Sequence, residues 1–216
     1  PAAARAGQIC GKIMIKAVIF DMDGVIADTE PLHKRARDRL LAALGLDVEE
    51  ISPTAIGRSK RAFWGEVAAK YGLTYTADEL TVKEFDALMT IVREERIRPT
   101  EGLCDLLDFL HRSGIVTAVA SSSDRNYVDT VLEVAGLVDK FDHSACGNEV
   151  PAAKPAPDVY LKALRLCGVS AAEALAVEDS DTGAKAATAA GICCVGYDAC
   201  KDICFRQKLA IGIYIV

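Results

Sequence analysis

Two aspartates, Asp21 and Asp23, stand two residues apart in the segment Phe20-Asp21-Met22-Asp23-Gly24. A carboxylate can attack phosphorus to form an aspartyl-phosphate, which splits one difficult displacement into two easier ones. On an extended chain the second acid projects to the same side as the first. Asp23 is therefore placed to donate a proton to a leaving oxygen and later to activate water. Gly24 lets the backbone turn close to a phosphate, where the following amides can contact its oxygens. Farther along come the hydroxyls of Ser121, Ser122 and Ser123, the ammonium of Lys154, and a second acidic pair, Glu178 and Asp179. A serine hydroxyl and a lysine would hold the remaining phosphate oxygens. Asp21, Glu178 and Asp179 would supply the hard oxygen ligands that Mg2+ prefers, and the metal would shield the approach of a carboxylate to a phosphate dianion.

Taken singly, each feature has a plainer reading. Asp-x-Asp-Gly is a common turn. Serines after a strand usually cap the next helix, and Ser123 or Asp124 could do only that. A lone lysine is ordinarily a solvated charge, and Glu178-Asp179-Ser180 could be a helix start whose acids suit the dipole. What sets them apart is their position along the chain.

The apolar run over 13–20, broken only by Lys16, reads as a buried strand ending in a glycine turn. Helical spacing follows over 33–46, closed by Gly45, and then over 59–71, 77–96 and 101–113. From 115 the pattern changes: strand 115–120, helix 124–135, a short strand near 141–146, helix 156–167, strand 174–178, helix 182–190 and strand 192–196. Strands alternating with helices imply βαβ crossovers and a mostly parallel sheet. The sequence therefore predicts a Rossmann-like α/β core with helices on both faces, built from 13–27 and 97–216. An all-helical cap over 28–96 is inserted after the first strand. In such a sheet ligands gather beyond the carboxyl ends of the strands, and the acid pair, the hydroxyls, the lysine and the second acid pair all follow predicted strands.

At 216 residues the chain can bury about 70% of the surface its unfolded form exposes. A net charge of −6 argues against nucleic acid or anionic membranes as partners, but not against a small anionic substrate in a locally cationic cleft. Eight cysteines occur without a Cys-x-x-Cys, and none of the three histidines lies near a cysteine pair, so zinc is not expected. Reduced, mostly buried thiols in a cytosolic monomer are. Residues 1–12 read as a disordered leader, and no stretch reaches the roughly 18 apolar residues of a membrane span. The tail 198–216, ending in the apolar run 211–216, could be an edge strand or an altered end.

The segments FDMDGVIADTE (20–30), VASSS (119–123), AKPAPD (153–158) and VEDSDTG (177–183) together resemble the four motifs of the haloacid dehalogenase-like hydrolases. The similar subgroup contains β-phosphoglucomutase and sugar-phosphate phosphatases, and the resemblance spans roughly 13–197. It implies Asp21 as nucleophile and metal ligand, and Asp23 as general acid/base with its backbone carbonyl on the metal. It further implies Ser121 and Lys154 as phosphate holders, Glu178 and Asp179 as the acidic metal site, and Thr29 as a hinge position, with a second crossing near 96–99. His33 falls where the mutases carry a cap histidine. Arg58 and Lys60, in the loop Gly57-Arg-Ser-Lys-Arg61, fall where the cap meets the substrate, and Lys60 stands where the mutases favour arginine. The expected activity is Mg2+-dependent hydrolysis of a small phosphorylated metabolite, with a phosphomutase as the alternative. A receiver domain shares these residue types but places its acceptor aspartate after a middle strand and lacks a helical insert. A catalytically silent scaffold is disfavoured by the full set of catalytic residue types.

Overall fold

The structure, a computed structural model, describes residues 14–56, 58–95 and 97–197. The expected leader, the first residue of the 13–20 run, the 198–216 tail and Arg96 of the second crossing lie outside the described residues.

Five strands, β1 (Ala17–Phe20), β2 (Val116–Ala120), β3 (His143–Ala145), β4 (Ala174–Glu178) and β5 (Cys193–Gly196), form one parallel sheet in the order β3-β2-β1-β4-β5. The fold is the expected α/β class. β1 is shorter than the apolar run suggests: Lys16 still bonds to Glu173 and Val116 through its backbone, but Met14 is exposed. β3 is also shorter than expected.

Helices cover both faces. Val18, Phe20, Val119, Leu175 and Val177 point to one face, against α5 (Leu103–Arg112) and α6 (Arg125–Val134). Ala17, Ile19, Ala118, Ala120 and Ala176 point to the other, against α7 (Asp158–Cys167) and α8 (Asp181–Ala189). The period-2 alternation of a strand buried on both sides thus sorts large residues to one face and mostly small ones to the other. The small face lets α7 and α8 approach closely. β2 lies on one side of β1 and β4 on the other, so the strand order reverses at β1 and leaves a crevice at the carboxyl ends of these three strands.

Between β1 and α5 the described chain forms α1 (Glu30–Ala43), a short α2 (Val48–Ile51) that periodicity did not predict, a 3-10 turn (Ser52–Ala55), α3 (Lys60–Tyr71) and α4 (Ala77–Glu94). α1 begins three residues earlier than expected, with a proline in its first turn. α3 is capped by Ser59 and closed by Gly72 in the left-handed region, and α4 opens on a Thr76–Glu79 capping box. Leu40, Leu41, Ile51, Phe63, Trp64, Val67 and Leu80 make a separate hydrophobic cluster for these helices. Leu32, Ala36, Leu88 and Val92 on the same α1 and α4 belong instead to the sheet's own core. Two helices therefore serve two cores, which joins the helical unit to the sheet.

None of the five described cysteines is disulfide-bonded, but the expected burial holds only for Cys146; Cys104 and Cys193 are exposed. Among the described residues no helix is long and apolar enough to cross a membrane. Leu41, fully buried between the helices, is expected to cost about 3 kcal/mol when changed to alanine, the transfer and cavity terms adding. Urea denaturation measures this, and a loss below about 1 kcal/mol would show that the helical cluster is not a packed core.

Candidate active site

The parallel register aligns the ends of β1 and β4, with Phe20 opposite Val177 and the Asp21 N–H bonded to the Val177 carbonyl at 2.9 Å. Asp21 therefore leaves the sheet beside Glu178, the last residue of β4. On the other side, Ser121 follows β2 and donates its N–H to the Ala145 carbonyl of β3 at 3.0 Å. Lys154, in the loop before α7, reaches back under these ends. Its Nζ lies 2.6 Å from Asp21 Oδ1, 2.6 Å from Glu178 Oε1 and 2.8 Å from the Ala120 carbonyl. Tyr160 on α7 donates its hydroxyl to the same Glu178 oxygen at 2.6 Å.

Asp21, Glu178 and Asp179 each offer an oxygen within 4.8 Å of the others. Two glycines make this possible. Gly24 has φ +79°, and a Cβ there would lie 2.0 Å from Asp179 Oδ2; a Cβ on Gly183 would lie 1.9 Å from Glu178 Oε2. The carboxylates thus fill space that side chains at 24 and 183 would occupy. Ser180 caps α8 by accepting from the Gly183 N–H at 3.1 Å, which holds Gly183 against Glu178.

Asp23 is held differently. Thr29 Oγ1 donates to its Oδ1, and Ser123 Oγ donates to its Oδ2 at 3.2 Å. Thr29 sits at the N-cap of α1 with helical rather than extended backbone angles and makes no side-chain cap bond, while its hydroxyl donates to Asp23. Ser123 is not a cap either. Asp124 occupies the N-cap of α6 without a side-chain bond, and Asn148 receives the Arg125 N–H at 3.1 Å. Ser121 Oγ accepts from the Ser123 N–H at 3.0 Å, which leaves its own proton for a ligand oxygen. Ser122 is exposed.

Above this cluster, His33 on α1 lies 3.2 Å from the Tyr127 hydroxyl through Nε2 and 3.3 Å from Lys60 Nζ through Nδ1. Tyr127, on α6, also interacts with Thr29 and Asp23. Burial, followed by the nearby Lys60 charge, lowers the His33 pKa and favours the neutral ring. Arg58 is not brought to this cluster. It pairs with Glu66 and lines a cavity of about 610 Å³ with Glu50, Thr54, Lys70 and Tyr71 on the helical unit.

Sequence reasoning did not single out Tyr160, Tyr127 or Glu84, a buried α4 carboxylate 3.5 Å from Lys60. A tyrosine or a glutamate on an amphipathic helix reads as ordinary core or surface, and only the fold reveals where its polar end arrives.

Electrostatically the site is short of positive charge. Burial raises the Asp21 carboxyl to about 7; Lys154 opposes the rise, whereas Glu178 and Asp23 add to it. Asp179 is raised by burial and by Glu178. Lys154, facing two carboxylates that outweigh its burial, holds its proton above the ordinary lysine range. One ammonium cannot neutralise three acids, and three hard oxygen donors with surplus negative charge fit Mg2+.

A scan of family models matches residues 15–191 to the haloacid dehalogenase-like hydrolases. Protein CbbY of Rhodobacter capsulatus is 33% identical over 82% of this chain and 83% of its own. Hexitol phosphatase B of Escherichia coli is 30% identical over 82% of this chain and 80% of its own. Among solved structures, a mutant CbbY from Rhodobacter sphaeroides in complex with xylulose-(1,5)bisphosphate is 29% identical, with a TM-score of 0.70 over 86% of this chain and 88% of that one. The chain belongs to the haloacid dehalogenase-like hydrolase family, and it is an enzyme of the phosphoryl-transfer type.

The raised Asp21 value, about 7, fixes the sign of a pH effect. A divalent cation binds the ionised carboxylate, so protons compete with it on the acid side of that value. Isothermal titration with Mg2+ is expected to show affinity falling by up to about tenfold per pH unit below neutrality and levelling above it. An affinity flat across that range would mean that Asp21 is already ionised there. Without metal, the folded chain binds this proton more tightly than the unfolded one, so its contribution to stability declines as pH rises from the ordinary carboxylate range to about 7.

Proposed function

We propose that this enzyme is a Mg2+-dependent phosphatase of small sugar phosphates, working through a phosphorylated Asp21. The observation that carries the reading is the meeting of five groups at one sheet edge: the Asp21 carboxylate, Asp23 held by Thr29 and Ser123, the Ser121 hydroxyl, the Lys154 ammonium, and the Asp21–Glu178–Asp179 acid cluster. The relative named as a hexitol phosphatase supports the substrate class, and the CbbY complex supports a phosphorylated sugar more broadly.

An Asp21 oxygen attacks the phosphorus of the monoester, and the bond from phosphorus to the sugar oxygen breaks. Asp23 gives that oxygen its proton, so an alcohol leaves. Water then attacks the phosphorus of the aspartyl-phosphate, Asp23 takes the proton, and inorganic phosphate departs with the Asp21 carboxylate restored. Thr29 and Ser123 fix Asp23 in orientation for both transfers, while Ser121 and Lys154 hold phosphate oxygens. Asp21, Glu178 and Asp179 would hold Mg2+, with the Asp23 carbonyl as the further ligand the family resemblance implies, and the ion would supply positive charge against the incoming dianion. The α1–α4 unit over 28–96 acts as a cap that excludes water from the first transfer, with Thr29 at its hinge. Every group required comes from one chain, which supports action as a monomer.

Asp21→Asn keeps the shape of the side chain but makes it a very poor nucleophile. The variant is expected to lose at least about a thousandfold in kcat on p-nitrophenyl phosphate with Mg2+, since covalent catalysis has no second route here. Undiminished turnover would overturn the mechanism. Assay on a hexose phosphate separates hydrolysis, read as inorganic phosphate release, from a mutase reaction, read as isomerisation without release.

A further inference from the structure

Three cations stand close together at the start of α3, and each faces a carboxylate of the same helical unit. Arg58 pairs with Glu66, Lys60 with Glu84 at 3.5 Å, and Arg61 with Asp78 at 3.1 Å. Of these, Lys60 is the one in contact with His33, and through Tyr127 it stands over Asp23. Through His33 and Tyr127 it belongs to the part of the site that the helical unit supplies, opposite the strand ends that carry Asp21.

Its partner is unusual. Glu84 is 1% exposed, and its second oxygen accepts from Trp64 Nε1 at 2.5 Å. Trp64 is itself fully buried in the helical cluster. A rim glutamate could swing away when an anion arrives, but Glu84 is locked by its packing and its indole bond. The Lys60 ammonium is therefore faced, 3.5 Å away, by a carboxylate that stays in place when an anion arrives. A phosphate carries about −1.5 to −2 at neutral pH, so it would meet a fixed carboxylate behind a single ammonium. Neutral hydroxyls face no such penalty, and the Lys60 ammonium, the His33 ring and the Tyr127 hydroxyl offer them donors and acceptors.

We propose that Glu84 is a specificity-determining residue: by neutralising Lys60 in the roof of the site, it selects polyhydroxylated monophosphates and rejects bisphosphates. This rests on the phosphatase reading and narrows it.

The test compares kcat/KM, by phosphate release with Mg2+, for a hexose 6-phosphate and the corresponding 1,6-bisphosphate, with p-nitrophenyl phosphate as the generic substrate. The natural protein is expected to favour the monophosphate. Glu84→Gln retains an acceptor for the indole N–H and removes the charge. It should shift the ratio toward the bisphosphate by on the order of tenfold, mainly through KM. Adding Lys60→Gln to that variant should abolish the gain. A natural protein that prefers the bisphosphate would overturn the proposal, and this ratio decides the matter even if Glu84→Gln does not fold. An unchanged ratio in Glu84→Gln, or a gain that survives the loss of Lys60, would also overturn it. If p-nitrophenyl phosphate is hydrolysed while the ratio fails, the specificity proposal falls alone. If none of the three substrates is hydrolysed, the phosphatase reading falls and takes the proposal with it.

Discussion

Lys154 reaches from the loop ahead of α7 into the gap between Asp21 and Glu178, 2.6 Å from each, with 6% of its side chain exposed. Burying carboxylates this close together is expensive unless a cation and hydrogen bonds compensate them. The ammonium offsets part of the cost, the Tyr160 hydroxyl part of the remainder, and what is left appears as the upward displacement of Asp21. Much of the surrounding architecture serves this arrangement. Gly24 and Gly183 vacate the space that the acids occupy, and the small face of the sheet lets α7 bring both Lys154 and Tyr160 beneath the strand ends. The residual negative charge is of the kind that a divalent cation would relieve.

The two halves of the site are held by different physics. On the floor, parallel backbone register fixes Asp21 beside Glu178, and positions are set by the sheet's hydrogen bonds. In the roof, side chains set the positions: Thr29 donates its hydroxyl to Asp23, and His33 bridges Lys60 and Tyr127. A roof of this kind can change its selectivity through single side chains while the floor keeps the same chemistry. The placement of Glu84 behind Lys60 is set in the same way, by its bond to Trp64 in the core of the helical unit.

Much of the fold was legible because its signals are local. The apolar runs at 115–120 and 174–178 are short, rich in small and β-branched residues, and bounded by helical spacing, so their strand character and their order followed from the chain. The boundaries that failed did so for physical reasons. Met14 is apolar but exposed, so the first run is not all strand. α1 starts three residues earlier than its apolar period suggests, because proline is well suited to a first turn. The short α2 carries too few residues for any period to register.

By itself the sequence determined which residues follow each strand, since an apolar run and the helical spacing after it are properties of neighbouring residues. Asp21, Ser121, Lys154, Glu178 and Asp179 were all found that way. Tertiary structure alone decided how the residues between those motifs are spent. Nothing in the spacing of 58–61 says that each cation has a carboxylate waiting, that Arg58 turns to another cavity, or that Glu84 is sealed behind Lys60 by an indole. Two of those pairings, Lys60–Glu84 and Arg61–Asp78, join different helices, and which charge faces which is set only by packing. A linear pattern does not carry that information.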